Sequence, residues 1–211
     1  MAQVEFFFEF ASTYSHLAAQ RIESAAAARG VSVIWRPFLL GPIFKEQGWS
    51  DSPFNIYPAK GRYMWIDMER QARKLGLDFR RPSAVPRNGL RAARLATAAQ
   101  SEPWLPAFVR AVYQANFARD REISEPTVLR EILEFVAPAG EVDSILAASK
   151  SDAAKTALRE TTQRAVELGI FGAPPITGGA GHKRGNQRKG GTEGTEGRKR
   201  GDTRMGLGGG G

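Results

Sequence analysis

From Val4 to Phe10 the chain alternates: Val4, Phe6, Phe8 and Phe10 fall on one side of an extended backbone, and Glu5, Phe7 and Glu9 on the other. Aromatic and β-branched residues at period two predict a strand. Ser12 follows as a helix N-cap, its oxygen placed to accept from a free amide of the first turn. Tyr14, Ala18, Ile22 and Ala25 then recur at helical spacing, up to a stop at Arg29-Gly30. Val31 to Phe38 predicts a second strand. The two strands and their helix make a right-handed βαβ unit with parallel pairing.

Beyond Leu40 the alternation is lost. Residues 41–58 are rich in Gly, Pro, Ser and Asn, with Trp49, Phe54 and Tyr57 of exposed type, and predict a loop with one short helix. From Lys60 the period becomes helical, with helices near 60–75, 88–100, 103–119, 126–137 and 141–149. In the third of these, Leu105, Phe108, Val109, Val112, Tyr113 and Phe117 form one stripe. In the fourth, Leu129, Ile132, Leu133 and Val136 do so behind a Ser124 cap, with Pro126 in the first turn where a missing N–H costs least.

A further helix over 152–168 ends at Gly169 and delivers the chain to Ile170-Phe171-Gly172-Ala173-Pro174-Pro175-Ile176-Thr177. An apolar run broken by two prolines predicts a loop entering a strand. Residues 178–211 then hold fourteen glycines and almost nothing apolar. Such a composition cannot bury enough surface to offset ordering, roughly 1–2 kcal/mol per residue, so a disordered tail is expected.

Composition narrows the chemistry. A chain of 211 residues with 42% apolar content can bury a core. Its formal charge of +8 suggests an anionic partner, but +5 of it lies in residues 178–211. There is no cysteine, which excludes disulfides, thiolate metal sites and a cysteine nucleophile; only His16 and His182 could serve a histidine metal site. The N-terminus lacks the basic and long apolar runs of a signal peptide, and no stretch approaches a membrane span. A soluble cytoplasmic protein is expected.

Four segments carry a resemblance: Phe8-Glu9-Phe10-Ala11-Ser12-Thr13-Tyr14-Ser15-His16-Leu17, Trp35-Arg36-Pro37-Phe38-Leu39-Leu40-Gly41, Pro58-Ala59-Lys60-Gly61-Arg62-Tyr63-Met64, and Phe171-Gly172-Ala173-Pro174. In this order they resemble the 2-hydroxychromene-2-carboxylate isomerase family, which is close to the kappa-class glutathione transferases within the DsbA-like thioredoxin-fold group. The resemblance covers about residues 3–177. It implies an α/β, thioredoxin-like fold of the DsbA/kappa type with a large all-helical insertion. Residues 1–40 and 151–177 would form an incomplete thioredoxin-like domain, 41–150 the helical insertion and 178–211 the basic Gly-rich tail.

The same resemblance implies glutathione as cofactor, with Ser12 where disulfide oxidoreductases of the fold keep a cysteine. A hydroxyl at a helix start can donate to the glutathione sulfur and favour its thiolate. Lys60 matches a lysine that helps hold glutathione. Ala173 matches the residue whose backbone pairs with the cysteinyl group, and Pro174 should be cis. Thr13 and Tyr14 complete the helix start. The asparagine that contacts glutathione in the kappa class aligns with Trp49, which leaves Asn55 as substitute candidate, and His16 stands where an aromatic is usual.

The implied reaction is cis-trans isomerisation between 2-hydroxychromene-2-carboxylate and trans-o-hydroxybenzylidenepyruvate, a step of naphthalene-type aromatic catabolism, in a protein that would form a homodimer. A broader kappa-like glutathione transferase uses the same residues. Without the resemblance, Ser12 is an ordinary N-cap and Lys60 a solvated charge. The family's closing strands and helix are not recognisable after Thr177, so a shifted reading frame with an inactive product is a further reading. Nucleic-acid binding through the basic tail is the remaining one; that tail lacks interleaved aromatics for base stacking.

Overall fold

The computed structural model describes residues 2–178. The tail expected over 178–211 therefore lies, apart from Gly178, outside the described residues. β1 (Ala2–Phe8) and β2 (Val31–Pro37) pair in parallel, with Phe6 opposite Trp35 and Phe8 opposite Pro37. β3 (Ile176–Gly178) adds to the other side of β1, antiparallel, with Ile176 opposite Phe6. The sheet order is β2-β1-β3. The apolar run after Gly169 does enter a strand, and three residues of it pair with β1.

The helix between β1 and β2 is broken. α1 (Thr13–Ala19) stops at Gln20, and α2 (Ile22–Ala27) restarts after Arg21. Residues 41–58 hold two short helices where one was expected, α3 (Leu40–Glu46) and α4 (Pro53–Ile56). The long helices match their periodicities: α5 (Pro58–Lys74), α6 (Leu90–Ala98), α7 (Leu105–Phe117), α8 (Pro126–Val136), α9 (Val142–Ala148) and α10 (Asp152–Glu167). One cap differs. Glu125, not Ser124, is the N-cap of α8, and it makes no side-chain capping bond, while Pro126 sits in the first turn as expected.

The alternation in β1 is used on both faces. Phe6, Phe8 and Phe10 join Trp35 and the inward stripes of α6, α7 and α8 in one apolar cluster, with Phe8 and Trp35 edge to face at 5.7 Å. Phe7 instead meets Phe38, Ile43, Ala165 and Ile170, under α3 and α10. Each such phenylalanine contributes about 1.5–3 kcal/mol by burial. A third cluster packs Leu17 of α1 against Met64, Trp65 and Met68 of α5.

Glu5 is also inside, at 4% exposure. Arg36 of β2 and Arg164 of α10 bond its two oxygens at 2.9 and 2.6 Å. Burial pushes its pKa up, but the hydrogen bonds and charges of the two arginines prevail and hold it below the ordinary value. This pair of bridges ties the first strand to its neighbour and to α10. Among the described residues no helix is long and apolar enough to cross a membrane.

Candidate active site at the end of the first strand

β1 ends at Phe8, and the backbone turns through Glu9, Phe10 and Ala11 into α1. Ser12 is the N-cap, with φ −83° and ψ 120°, and its oxygen accepts from the Ser15 amide at 3.2 Å. Its hydroxyl donates to the Ala173 carbonyl at 3.4 Å. Residues 161 positions apart in sequence thus meet at one atom. The loop that brings Ala173 there is held by the Phe7 amide, which donates to the Pro175 carbonyl at 3.1 Å. The Ala173–Pro174 bond is cis, as the resemblance implied.

A bond of 3.4 Å lies at the outer edge of hydrogen-bond range. The Ser12 proton is therefore weakly held, while its oxygen stays fixed by the shorter bond from Ser15. The Ala173 N–H has no hydrogen-bond partner among the described residues. A partly buried hydroxyl whose proton makes only this long bond can redirect it to a polar atom of a ligand.

The turn before Ser12 is tightly bound. The Ser12 amide donates to the Glu9 carbonyl at 3.0 Å, and the Tyr113 hydroxyl donates to the same carbonyl at 2.9 Å. Asn116 Nδ2 donates to the Phe10 carbonyl at 3.3 Å, and its own Oδ1 accepts from buried Arg87 at 3.1 Å. The Glu9 carboxylate is 7% exposed and takes the Ala11 amide at 3.2 Å and the Leu40 amide at 3.0 Å. Burial pushes the Glu9 carboxyl above its ordinary pKa, against the pull of these backbone amides.

The other expected residues sit differently. Thr13 and Tyr14 are at the helix start, but their side chains are turned to α5: Thr13 Oγ1 lies 3.3 Å from Met64 Sδ, and Tyr14 donates to Asp67 at 3.1 Å. Burial and the Asp67 carboxylate push the Tyr14 phenol up to about 12. Asn55 is exposed, donates to Asp51 at 3.0 Å, and lines a cavity of about 380 Å³ with Phe54, Met64, Trp65, Arg81 and Val85. Lys60 is exposed in the first turn of α5, its ammonium 4.6 Å over the Tyr57 ring. Neither Asn55 nor Lys60 is hydrogen-bonded to Ser12. Trp49 packs on Phe44 at 5.5 Å.

His16 is 1% exposed, with both ring nitrogens unpartnered between the Tyr113 and Phe117 rings. Burial pushes its pKa down to about 4, so it is a neutral ring packed in the core between two aromatics. Glu9, Tyr113 and Asn116 are the corner residues that the sequence did not mark. For Glu9 the only signal was Phe7 two residues earlier on the same side of the strand, which makes that face apolar as well.

The comparisons with known proteins bear on the fold and family of the chain. A 2-hydroxychromene-2-carboxylate isomerase of Sphingobium xenophagum is 27% identical over 173 residues, covering 81% of this chain and 86% of that one. Glutathione S-transferase kappa 2 of Caenorhabditis elegans is 28% identical over 182 residues, covering 81% and 78%. A solved structure of a 2-hydroxychromene-2-carboxylate isomerase superposes with a TM-score of 0.71 at 22% identity, over 82% of this chain and 84% of that one. The model of the DSBA-like thioredoxin domain matches residues 3–189. The chain belongs to the DsbA-like thioredoxin domain family.

Proposed function

We propose, from a DsbA-like thioredoxin domain with a serine at its strand-to-helix corner and no cysteine anywhere, that this protein is a glutathione-dependent isomerase. The substrate pair is 2-hydroxychromene-2-carboxylate and trans-o-hydroxybenzylidenepyruvate. The contact of Ser12 with Ala173 beside the cis-Pro174 loop carries the reading. With 0 cysteines the chain cannot run the dithiol chemistry of disulfide oxidoreductases, so a nucleophilic thiol has to come with a ligand.

The fit of glutathione rests on chemistry already present. Ala173 has its backbone carbonyl beside Ser12 and an N–H with no partner among the described residues, donor and acceptor for pairing with an extended peptide. The Thr13 and Tyr14 amides at the helix start are further donors. Lys60 carries an ammonium with no acidic partner among the described residues, suited to a carboxylate. Asn55 is the weaker contact, because Asp51 and the Val85 carbonyl already take its donors. Bound glutathione supplies a thiolate nucleophile. Ser12, its oxygen kept in place by the Ser15 amide, would donate to that sulfur in place of the Ala173 carbonyl and so favour the ionised form.

Phe54 and Trp65, with Val85, line the cavity that also holds Asn55, and Phe54 and Met64 of that lining touch Tyr14 and Thr13; such aromatic walls suit a planar substrate. A broader kappa-like glutathione transferase is the second reading, favoured by the 28% identity to the kappa relative. Turnover assays on the two substrate types separate them. For either, Ser12→Ala should lose about 1 kcal/mol of stability as a lost cap. Its activity should fall roughly 100-fold. A folded Ser12→Ala variant with parental turnover would exclude the thiolate role.

A further inference from the structure

Glu9 is the one buried carboxylate of the first strand region that no cation approaches among the described residues. Its two oxygens are divided. Oε1 takes the amide of Ala11, the residue before Ser12, and Oε2 takes the amide of Leu40, where β2 gives way to α3. Its main-chain carbonyl takes the Ser12 amide and the Tyr113 hydroxyl. Its own amide lies 3.4 Å from Ser15 Oγ, inside the first turn of α1. The ends of the two parallel strands and the start of α1 therefore converge on one residue.

Space is closed around it as well. A methyl group on Gly89 would come within 2.9 Å of Glu9 Oε1 and 2.9 Å of Phe10 Cβ. Gly89, the N-cap of α6, therefore stands close beside the carboxylate, and any larger residue there would collide with it. Burying an ionised group without a cation is costly, and a serine or asparagine could cap one amide at less cost. Only a carboxylate supplies two strong acceptors to two amides on different segments.

We propose that Glu9 is a positioning residue for Ser12: its carboxylate ties the turn before the hydroxyl to the end of β2 and so sets where Ser12 Oγ stands against the Ala173 loop. This role rests on the reading of Ser12 as donor to a bound thiolate. Gln at position 9 keeps the volume but replaces one acceptor by an N–H facing an N–H, which pushes the turn open. The hydroxyl then stands off the sulfur and the thiolate is less favoured.

The test titrates the ultraviolet absorbance of the glutathione thiolate on the full chain and on Ser12→Ala, Glu9→Gln, Glu9→Asp and Glu5→Gln. Ser12→Ala should raise the bound-thiol pKa by about one unit, a tenfold loss of thiolate at fixed pH. Glu9→Gln should shift it in the same direction with glutathione affinity nearly unchanged, and Glu9→Asp should recover part of the shift. Glu5→Gln loses stability in the same strand and should keep the parental titration. A parental curve for Glu9→Gln beside a shifted one for Ser12→Ala overturns the positioning role alone. Parental curves for both overturn the thiolate reading and this role with it. Should Glu9→Gln not fold, the amide resonances of Ala11 and Leu40 in the parent decide. A common pH midpoint supports the shared carboxylate, and separate or absent titrations overturn it.

Discussion

Glu5 and Glu9 stand four residues apart, in and just beyond the same aromatic strand, and they are 4% and 7% exposed. Two guanidiniums meet the first; only backbone amides and packed apolar groups meet the second. Glu5 is accordingly held below its ordinary pKa, and Glu9 above it. Linkage gives them opposite signatures. The stability from Glu5 is present above its unfolded pKa and is lost as pH falls through its lower folded value. Glu9 favours the fold most below its unfolded pKa, and that contribution is lost as pH rises through its higher folded value. A strand interior is built for stability; the turn beyond it accepts a cost in order to fix a hydroxyl.

The strongest way to break this contrast is to make Glu5 resemble Glu9 without its amides. Arg36→Ala with Arg164→Ala strands a buried carboxylate, and the double variant should lose about 3–5 kcal/mol in denaturant unfolding. A loss under about 1 kcal/mol would mean that water already reaches Glu5.

Next in size is His16, which abuts the corner through Tyr113. Its folded pKa, near 4, is below the ordinary 6.5. The neutral ring is therefore stable above pH about 6.5, and stability should fall by about 3 kcal/mol as pH drops from there to 4. His16→Phe should remove that slope and leave the neutral-pH melting point within a few degrees. An unchanged acid slope would place the titrating group elsewhere.

The smallest expected effect, and the sharpest probe of the corner, is Gly89→Ala. Its methyl group must displace Glu9 Oε1 or Phe10, at about 1–3 kcal/mol. Activity should fall by more than stability alone explains, because the strain enters beside the turn that carries Ser12. Equal losses for Gly89→Ala and for a core substitution remote from β1, such as Leu133→Ala, would show that the corner tolerates displacement.

Much of this was legible in the sequence because it depends on neighbours along the chain. Alternation along β1, the cap at Ser12 and the stripes of α7 and α8 follow from periods of 2 and 3.6. The break at Gln20–Arg21 was hidden, since Ile22 and Ala25 continue the helical register across it. The helices α3 and α4 were hidden too, because short helices among Gly and Pro have little periodicity to show. The Ser124 cap was misplaced by one residue: Glu125 holds the capping position and Ser124 bonds its amide to Glu122 instead.

The site divides in the same way. The sequence by itself determined that a serine would stand at the joint of strand and helix, that no cysteine could replace it, and that both strands would pair in parallel. Those are consequences of residue identity and local spacing. Only the tertiary structure decided that Ala173 would reach Ser12, that Arg164 would reach Glu5, and that Leu40 and Tyr113 would close on Glu9. Each of these joins segments 31 to 161 positions apart. Their pairing is set by how the helices pack over the sheet, and no local period in the chain encodes it.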